Sequence, residues 1–303
     1  MGTAEFEALQ RRHGVAGVVS FDESPLGGPV ARLASGGSSA EIALQGAQVL
    51  GWTPAGHAPA LWLSPVERLG TGKPIRGGIP VCWPWFANHP DDPAKPTHGF
   101  VRTRQWSVTS AGMRDGAATL ELRTATTLAD AALWAHSAEA ELEVALGERL
   151  TLSLTTRNTG PGAIRLTQAL HTYFAVGDIA QVRVDGFDGL GYIDKLAANA
   201  RKSWSGPILF AGEVDRIYLG HSGAAEIVDA AAARTIRIEK SGSASTVVWN
   251  PWIEKCARLG DMGPEGYRRM VCIETANAGD DVVSLAPGAA HTITAVYSVR
   301  HGS

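Results

Sequence analysis

The stretch Ala140–Leu154, AELEVALGERLTLSL, alternates apolar and polar residues with a period of two. As far as Leu146 every second residue is apolar, and Glu141 and Glu143 stand between them. After Gly147-Glu148 leucines alternate with Thr and Ser. Period-two alternation is typical of a strand with one buried and one wet face. The stretch therefore predicts an antiparallel β-hairpin whose turn lies near Gly147.

The same alternation recurs along the chain, around Leu120, Ile236 and Ile293–Val299. Helical periodicity is confined to two short segments, Glu5–Arg12 and Leu128–Ala135, and no strand–helix–strand rhythm indicates a parallel sheet. Many strands separated by Gly, Pro and Asp predict an all-β protein, a large antiparallel β-sandwich with a few short helices. Although the chain has 303 residues, large sandwiches reach this order of length as one unit. We expect a single domain spanning residues 1–303.

Composition and charge exclude several classes of protein. Hydrophobic residues make up 45% of the chain, which is enough for a sizeable core. The net charge is −3 and no run of Lys or Arg forms a basic stripe, so we expect no nucleic-acid partner. No apolar stretch reaches about 18 residues, and the N-terminus lacks a secretory pattern. We therefore expect no membrane partner, a cytoplasmic location and a monomer.

Cysteine usage points to a reducing compartment. Cys82, Cys256 and Cys272 are too few and too scattered for a disulfide framework or a Cys-x-x-Cys metal site. We expect all three thiols to be unbridged.

One long segment interrupts the strand pattern. Gly70–Arg102 contains six prolines and two tryptophans but little alternation. Long irregular segments in compact domains are usually functional or disordered, and aromatic content argues against disorder. We expect an ordered loop that shapes a pocket.

Several polar residues stand in strand-like or irregular surroundings where they could serve chemistry. His171 lies in the apolar run LHTYFAV and could simply be a core histidine bonded to the backbone. Glu274 follows a buried-strand pattern, where a carboxylate is costly unless it has a partner or lies in a pocket. His98 could merely order its loop.

The remaining candidates suit an anionic sugar. Arg76 and Arg102 could be surface charges, but a guanidinium also binds phosphate with two parallel hydrogen bonds. Asp215 could cap a turn or accept hydrogen bonds from sugar hydroxyls. Four tryptophans are expected mostly in the core, although indole rings also stack on sugars: Trp83, Trp85, Trp249 and Trp252. Taken singly, none of these residues decides a function.

The order of the motifs is more informative than any one of them. RGGIPVCWPWF (76–86), HGFVR (98–102), LHTYF (170–174), VVWNPW (247–252) and CIETAN (272–277) closely resemble the hexose-6-phosphate mutarotases. These are also called glucose-6-phosphate 1-epimerases and belong to the aldose-1-epimerase superfamily. The resemblance extends from about Pro29 to Arg300 and implies a β-sandwich of the galactose-mutarotase type.

The resemblance also implies roles for individual residues. His171 matches the family's general acid and Glu274 its general base. Arg76, Arg102 and Asp215 match substrate-binding positions, and His98 matches a second histidine of the cleft. Thr97 stands where relatives often carry glutamine and is a further substrate-binding candidate, whose shorter hydroxyl favours a contact with the sugar through water. Acid–base chemistry on a hexose 6-phosphate needs no metal or other cofactor, and we expect none.

Other functions remain open at this point. An aldose 1-epimerase acting on free sugars would share the fold and the acid–base pair but would not need two phosphate-facing arginines. A non-catalytic sugar-phosphate binding protein could use the same scaffold, because fold does not dictate function. Glycoside hydrolysis would require a second carboxylate, for which no equally convincing residue stands out.

Overall fold

The computed structural model describes residues 3–66, 68–69 and 72–302. Strands dominate this part of the chain, in which two α-helices occur, α1 (Thr3–His13) and α2 (Trp252–Leu259). Short 3-10 helices lie at Val101–Thr103, Leu128–Asp130, Ile179–Gln181 and Gly266–Arg269. The strands are β1 (Val19–Glu23), β2 (Pro29–Ser35), β3 (Ser38–Ala43), β4 (Gln48–Thr53), β5 (Val81–Cys82), β6 (Ser107–Arg114), β7 (Ala117–Ala125), β8 (Ala138–Leu146), β9 (Leu150–Asn158), β10 (Ile164–Leu166), β11 (Gln168–Leu170), β12 (Tyr173–Ala175), β13 (Val182–Asp185), β14 (Gly191–Asp194), β15 (Ala200–Ser203), β16 (Ile208–Leu209), β17 (Val214–Leu219), β18 (Ala225–Asp229), β19 (Arg234–Ser241), β20 (Ser245–Asn250), β21 (Met270–Asn277), β22 (Val283–Leu285) and β23 (Ala290–His301).

The predicted hairpin lies within a large antiparallel sheet of strand order β16–β13–β18–β19–β23–β9–β8–β7–β6. Leu146 of β8 pairs with Leu150 of β9 across the turn. Leu142 and Leu152 are fully buried, whereas Glu141 is exposed. The alternation of the sequence is therefore the alternation of buried and solvent-facing side chains.

A second large sheet has the order β15–β14–β17–β20–β21–β11–β5, and β12 pairs with β21 beside β11. Its inner face packs against the first sheet in one core, where Phe174 of β12 meets Tyr297 of β23 at 5.4 Å between ring centroids. Apolar surface removed from water in this core stabilises the folded state by about 25 cal/mol per Å². The large antiparallel β-sandwich predicted from the sequence is confirmed.

The outer face of the second sheet carries the candidate site. Successive side chains of a strand point to opposite faces, so Val271 and Ile273 of β21 enter the inter-sheet core while Cys272 and Glu274 do not. Trp249 of β20 belongs to the same outer apolar cluster as Cys272. Glu274 is consequently a carboxylate placed on a largely apolar sheet face.

The predicted helices differ in outcome. Glu5–Arg12 falls inside α1, and Leu128–Ala135, where a turn or two is expected, contains the 3-10 helix Leu128–Asp130. The sequence analysis missed α2, which follows strand β20 after Pro251 and ends at Leu259, where the C-cap residue Gly260 has φ of +70°. Among the described residues, no helix has the length and apolar character needed to cross a membrane.

The long loop is ordered by its aromatic residues. Its first two residues, Gly70 and Thr71, lie outside the described part of the chain. Trp83 donates its Nε1–H to Thr156 Oγ1 at 2.9 Å, and Trp85 donates to the carbonyl oxygen of Pro96 at 2.9 Å. Three of the four tryptophans expected in the core are buried, whereas Trp252 is partly exposed at the start of α2.

The unbridged state of all three cysteines is also confirmed. Cys82, Cys256 and Cys272 are buried as free thiols.

Candidate active site

Strand register brings His171 and Glu274 together although they are far apart in sequence. Leu170 of β11 pairs with Thr275 of β21, and Tyr173 of β12 pairs with Cys272. His171 lies in the short gap between β11 and β12, beside Glu274 on the neighbouring strand. Its Nδ1 is 3.4 Å from Glu274 Oε1. The two side chains could therefore touch the same small molecule, and the candidate cavity is the space that this molecule would occupy.

Burial disfavours the charged form of both groups. The side chain of His171 is 10% exposed and that of Glu274 is 1% exposed. Burial, reinforced by His98, Arg76 and Arg102, holds the pKa of His171 well below its usual value. Burial and the Asp215 carboxylate raise the pKa of Glu274 well above its usual value. An imidazole normally binds its proton more tightly than a carboxylate does. Both shifts act against that order, so burial favours the neutral form of each group.

Neither group is saturated with hydrogen bonds. Within the described part of the chain, His171 Nδ1 and Glu274 Oε2 are buried and have no hydrogen-bond partner. Buried polar atoms are normally paired. Unpaired atoms on adjacent groups in a pocket are what a polar ligand such as a sugar hydroxyl would satisfy.

Aromatic rings hold the imidazole in place. His171 stacks on Tyr173 with an interplanar angle of 8° and a centroid distance of 4.8 Å. Trp249 stands edge-on to both rings, at 6.1 Å from His171 and 5.9 Å from Tyr173. On its other side Tyr173 stacks on Trp62 at 5.9 Å. These contacts orient His171 without using its nitrogen atoms.

His98 adds a second, neutral imidazole to the cavity. Its ring centroid is 5.4 Å from that of His171. Nδ1 of His98 accepts a hydrogen bond from the backbone N–H of Ala87 at 3.1 Å, so the ring proton is on Nε2. Burial and the nearby arginines lower its pKa to about 3. His98 is thus a fixed hydrogen-bond donor near neutral pH rather than a proton acceptor.

Glycine permits the backbone geometry beside His98. Gly99 has φ of +74°, and a Cβ atom there would lie 1.8 Å from the carbonyl oxygen of Trp83. Gly78, in the RGG motif, has φ of +62°, and a Cβ atom would lie 2.1 Å from the carbonyl oxygen of Val49. Only glycine combines this conformation with such close backbone approach. The segments around Gly78 and Gly99 therefore lie in close backbone contact with Val49 and Trp83.

Arg76 reaches the cavity but is held by protein groups. Its Nε and Nη2 donate to Asp261 Oδ2 at 3.0 and 2.9 Å, and its Nη1 donates to the Tyr173 hydroxyl at 3.0 Å. The Asp261 carboxylate orients the guanidinium and offsets part of its charge. Sequence reasoning did not identify Asp261, which lies in an irregular segment 185 residues from Arg76.

Arg102 lies near His98 and contacts the neighbouring residue Thr97. Arg102 Nη2 donates to the backbone carbonyl oxygen of Thr97, and its Nε is buried without a hydrogen-bond partner among the described residues. The Thr97 hydroxyl donates to Asn88 Oδ1 at 3.2 Å. Thr97 thus meets Arg102 through its backbone, while its side chain is exposed.

Asp215 lies near Glu274, close enough for its carboxylate to raise the pKa of Glu274. It pairs with Trp249 across β17 and β20. Lys255 of α2 lies 3.5 Å from Asp215 Oδ2 and 2.8 Å from Glu213 Oε1. Burial raises the pKa of Asp215, an effect that Lys255 opposes. The helix α2 therefore supplies a cation that favours the ionised form of Asp215.

The sequence-predicted residues Arg76, His98 and Arg102 lie close to His171, Asp215 lies close to Glu274, and Thr97 contacts Arg102 through its backbone. Four neighbouring residues were missed: Asp261, Tyr173, Cys272 and Lys255. Tyr173 and Cys272 were detectable in principle, because each stands two positions from His171 or Glu274 in a strand-like run and so shares its face. Lys255 carried no comparable signal, since its contacts depend on the unpredicted helix α2.

Comparison with known proteins agrees with the fold and the motifs. A family model described as Aldose 1-epimerase matches residues 29–298. The chain belongs to the aldose 1-epimerase family. The resemblance found in its motifs is thereby confirmed.

Individual members of the family are similar over most of the chain. A Cenchrus ciliaris protein, provisionally named glucose-6-phosphate 1-epimerase, is 37% identical over 262 residues, covering 82% of this chain and 78% of the relative. A Salmonella typhimurium structure, provisionally titled a mutarotase, has a TM-score of 0.87 at 29% identity and covers 95% of this chain and 96% of its own. A galactose mutarotase-like protein from Clostridium acetobutylicum has a TM-score of 0.75 at 16% identity, with 93% and 98% covered. This last likeness shows the fold alone, which is the galactose-mutarotase type.

Proposed function

We propose that this protein is a cofactor-independent mutarotase that interconverts the α and β anomers of hexose 6-phosphates, with glucose 6-phosphate as its substrate. The observation that carries the proposal is the buried pair of His171 and Glu274, with Nδ1 and Oε1 3.4 Å apart in one cavity. Relatives provisionally named glucose-6-phosphate 1-epimerase support the choice of substrate.

The proposed reaction moves protons only. In the reactive form the single proton of the pair is on His171. Glu274 takes the proton from O1 of the sugar while His171 gives its proton to the ring oxygen, and the bond between C1 and the ring oxygen breaks. The open-chain aldehyde rotates about its C1–C2 bond. Ring closure then reverses both transfers on the other face of C1, so the two side chains recover their original protonation. General acid–base groups each contribute about 10²- to 10⁴-fold.

The other side chains position the sugar. Neutral His98 would donate its Nε2–H to a sugar oxygen, and Asp215 would accept from hydroxyl groups. Arg102, whose buried Nε has a spare donor, would hold the phosphate together with Arg76. Binding of this non-reacting end orients C1 between the acid and the base.

A second candidate is an aldose 1-epimerase acting on free sugars. It is favoured by one observation: the guanidinium of Arg76 already donates to Asp261 and Tyr173, which reduces its capacity to bind phosphate. The two functions differ in how much the 6-phosphate improves turnover.

Anomer exchange measured by NMR or polarimetry, corrected for the spontaneous rate, tests the proposal with glucose 6-phosphate and glucose as parallel substrates. We expect kcat/KM to be higher for glucose 6-phosphate and to fall by about 10²-fold or more in His171→Asn and Glu274→Gln. Equal kcat/KM for both sugars would favour the free-sugar enzyme. Binding of glucose 6-phosphate without catalysed exchange would favour a sugar-phosphate binding protein.

Arg102→Ala tests the phosphate contact directly. Loss of a charge-assisted hydrogen bond costs about 1.5–3 kcal/mol, so we expect KM for glucose 6-phosphate to rise about 10- to 100-fold with kcat less affected. Arg183→Ala removes the same charge from an exposed pair with Asp185 and serves as the control. An equal loss on free glucose would contradict the phosphate contact.

A further inference from the structure

A thiol lies beside the acid–base pair and has no role in the proposed reaction. Cys272 precedes Glu274 by two positions in β21 and shares its face of the sheet. Within the described residues, His171, Cys272 and Glu274 each offer one ligand atom, and these three atoms lie within 4.8 Å of one another. All three residues are buried.

The donor set matches zinc more closely than a hard cation. Imidazole nitrogen, thiolate sulfur and carboxylate oxygen bind Zn²⁺ at about 2.0–2.3 Å in a tetrahedron, whose edges are then about 3.4–3.8 Å. The 3.4 Å between His171 Nδ1 and Glu274 Oε1 already has this length. Mg²⁺ and Ca²⁺ prefer oxygen ligands throughout.

Unused lone pairs provide an independent indication of a ligand. Among the described residues, His171 Nδ1 and Glu274 Oε2 are buried without hydrogen-bond partners. Three protein ligands leave the fourth tetrahedral position open for water or a sugar oxygen, the arrangement of an open zinc site.

The surrounding charges set the conditions for binding. Asp215 lies close enough to raise the pKa of Glu274, and its carboxylate attracts a cation. Arg76 and Arg102 lie close enough to lower the pKa of His171, and both oppose a dication. Zn²⁺ binds cysteine as the thiolate, so metal binding at Cys272 releases a proton to solvent.

We propose that His171, Cys272 and Glu274 form an inhibitory site for Zn²⁺ or a similar soft divalent cation. A bound metal occupies the lone pairs that would move protons, and it competes with the sugar for the cavity. The inhibition rests on the proposed mutarotase function, whereas the binding of the metal does not.

Metal binding is tested first without reference to activity. The full-length protein is stripped with EDTA, freed of the chelator and titrated with Co²⁺, whose thiolate complex absorbs in the near ultraviolet. We expect about one equivalent to bind with this band in the wild type and in Cys256→Ser, a control whose thiol contacts Gly263 instead. Cys272→Ser, or Cys272→Ala should the serine variant not fold, should lose the band. A wild type without the band, or a Cys272 variant that keeps it, would overturn the site.

The inhibition is tested by anomer exchange with Zn²⁺, using Mg²⁺ at the same concentration as control. We expect Zn²⁺ alone to inhibit the wild type and Cys256→Ser, competitively with the sugar and reversibly by EDTA. The Cys272 variant, compared with its own zinc-free rate, should need at least about tenfold more Zn²⁺ because it lacks one ligand. Equal zinc sensitivity would refute the inhibitory site while leaving the mutarotase function intact. If the protein exchanged no anomers, the Co²⁺ titration would still decide whether the metal binds.

Discussion

At the scale of single residues, the chemistry depends on how burial treats a carboxyl group and an imidazole. Burial raises the pKa of Glu274 and lowers that of His171. These directions favour the neutral pair, in which Glu274 holds the proton and His171 does not, and this is the form that the proposed ring opening produces. Because burial disfavours the charged forms of both residues, it also lowers their contribution to the free energy of unfolding.

A bell-shaped pH dependence is expected because the pair must hold one proton. Turnover should fall at low pH, when both groups are protonated, and at high pH, when neither is. The phosphate of glucose 6-phosphate also titrates near pH 6, so kcat/KM is best measured with free glucose as well. His98→Gln should leave the acid limb in place, since the pKa of His98 of about 3 keeps it neutral there. A shift of the acid limb in the His98→Gln variant would contradict the conclusion that His98 is neutral in this pH range.

Glu274→Gln should stabilise the protein increasingly as pH rises, while reducing its activity. With its pKa raised in the folded state, Glu274 binds more protons when folded than when unfolded. The free energy of unfolding of the wild type therefore decreases as pH rises above the unfolded value of about 4.3. Urea unfolding of both proteins at pH 5 and pH 8 tests this, and the difference between their midpoints should grow in favour of Gln. A difference that shrinks at pH 8 would show that the folded carboxyl has a low pKa.

At the scale of elements, the site is assembled by loops and one short helix on a rigid sheet. β21 supplies Glu274, whereas His98 and Arg76 come from irregular segments next to close backbone contacts. Helix α2 contributes Lys255, which lies 5.8 Å from the centroid of the Trp249 ring as well as contacting Asp215. In the proposed function these loops position the sugar, and the sheet behind them holds their ends in place.

Lys255→Met should make substrate binding sensitive to acid. Lys255 opposes the burial effect that raises the pKa of Asp215, so its removal lets Asp215 become protonated at higher pH. A protonated Asp215 accepts fewer hydrogen bonds from the sugar, and KM should rise towards acid pH sooner than in the wild type. Lys255→Arg keeps the charge and should retain the original KM profile. Identical profiles for the Met variant and the wild type would exclude this role.

Gly99→Ala should disrupt the loop that carries His98. Ala in the left-handed conformation costs about 1–2 kcal/mol, and its Cβ would additionally meet the Trp83 carbonyl oxygen. The matched control is Gly116→Ala in the turn between β6 and β7, with φ of +80° and no described atom within 4 Å of the added Cβ. We expect the Gly99 variant to lose more stability in urea unfolding and to lose activity as well. Equal losses would mean that only the backbone conformation matters.

At the scale of the whole molecule, a buried polar network joins the two sheets beneath the site. Thr156 of β9 accepts from Trp83 Nε1 and donates to Gln168 Oε1 of β11 at 2.8 Å. Gln168 Nε2 then donates to Asn277 Oδ1 of β21 at 3.1 Å. Through these hydrogen bonds the network connects the long loop to β21, the strand that bears Glu274.

Thr156→Val should destabilise the protein although it keeps the shape of the side chain. Loss of the hydroxyl leaves the Trp83 N–H and the Gln168 carbonyl oxygen unpaired, which costs about 1–3 kcal/mol for each buried group. The control, Thr155→Val, removes a partly exposed hydroxyl that bonds Thr292, and it should change stability by no more than about 0.5 kcal/mol. Urea unfolding measures both. Equal effects would show that the network contributes no more than a surface contact.

The sequence by itself determined the sandwich and most of the site residues. Alternation as in Ala140–Leu154 is a local property, because a strand places successive side chains on opposite faces whatever its partners are. The family motifs around Arg76, His98 and His171 could likewise be recognised from the sequence alone.

Only the tertiary structure decided which of these residues meet. His171 and Glu274 are neighbours because β12 and β11 both pair with β21 in a particular register, and register depends on the packing of the whole sheet. The partners of Arg76 and Asp215 were likewise invisible, since Asp261 and Lys255 approach them from a loop and a helix distant in sequence. Proton affinities follow from burial and from charges across the cavity, and neither quantity exists until the chain is folded.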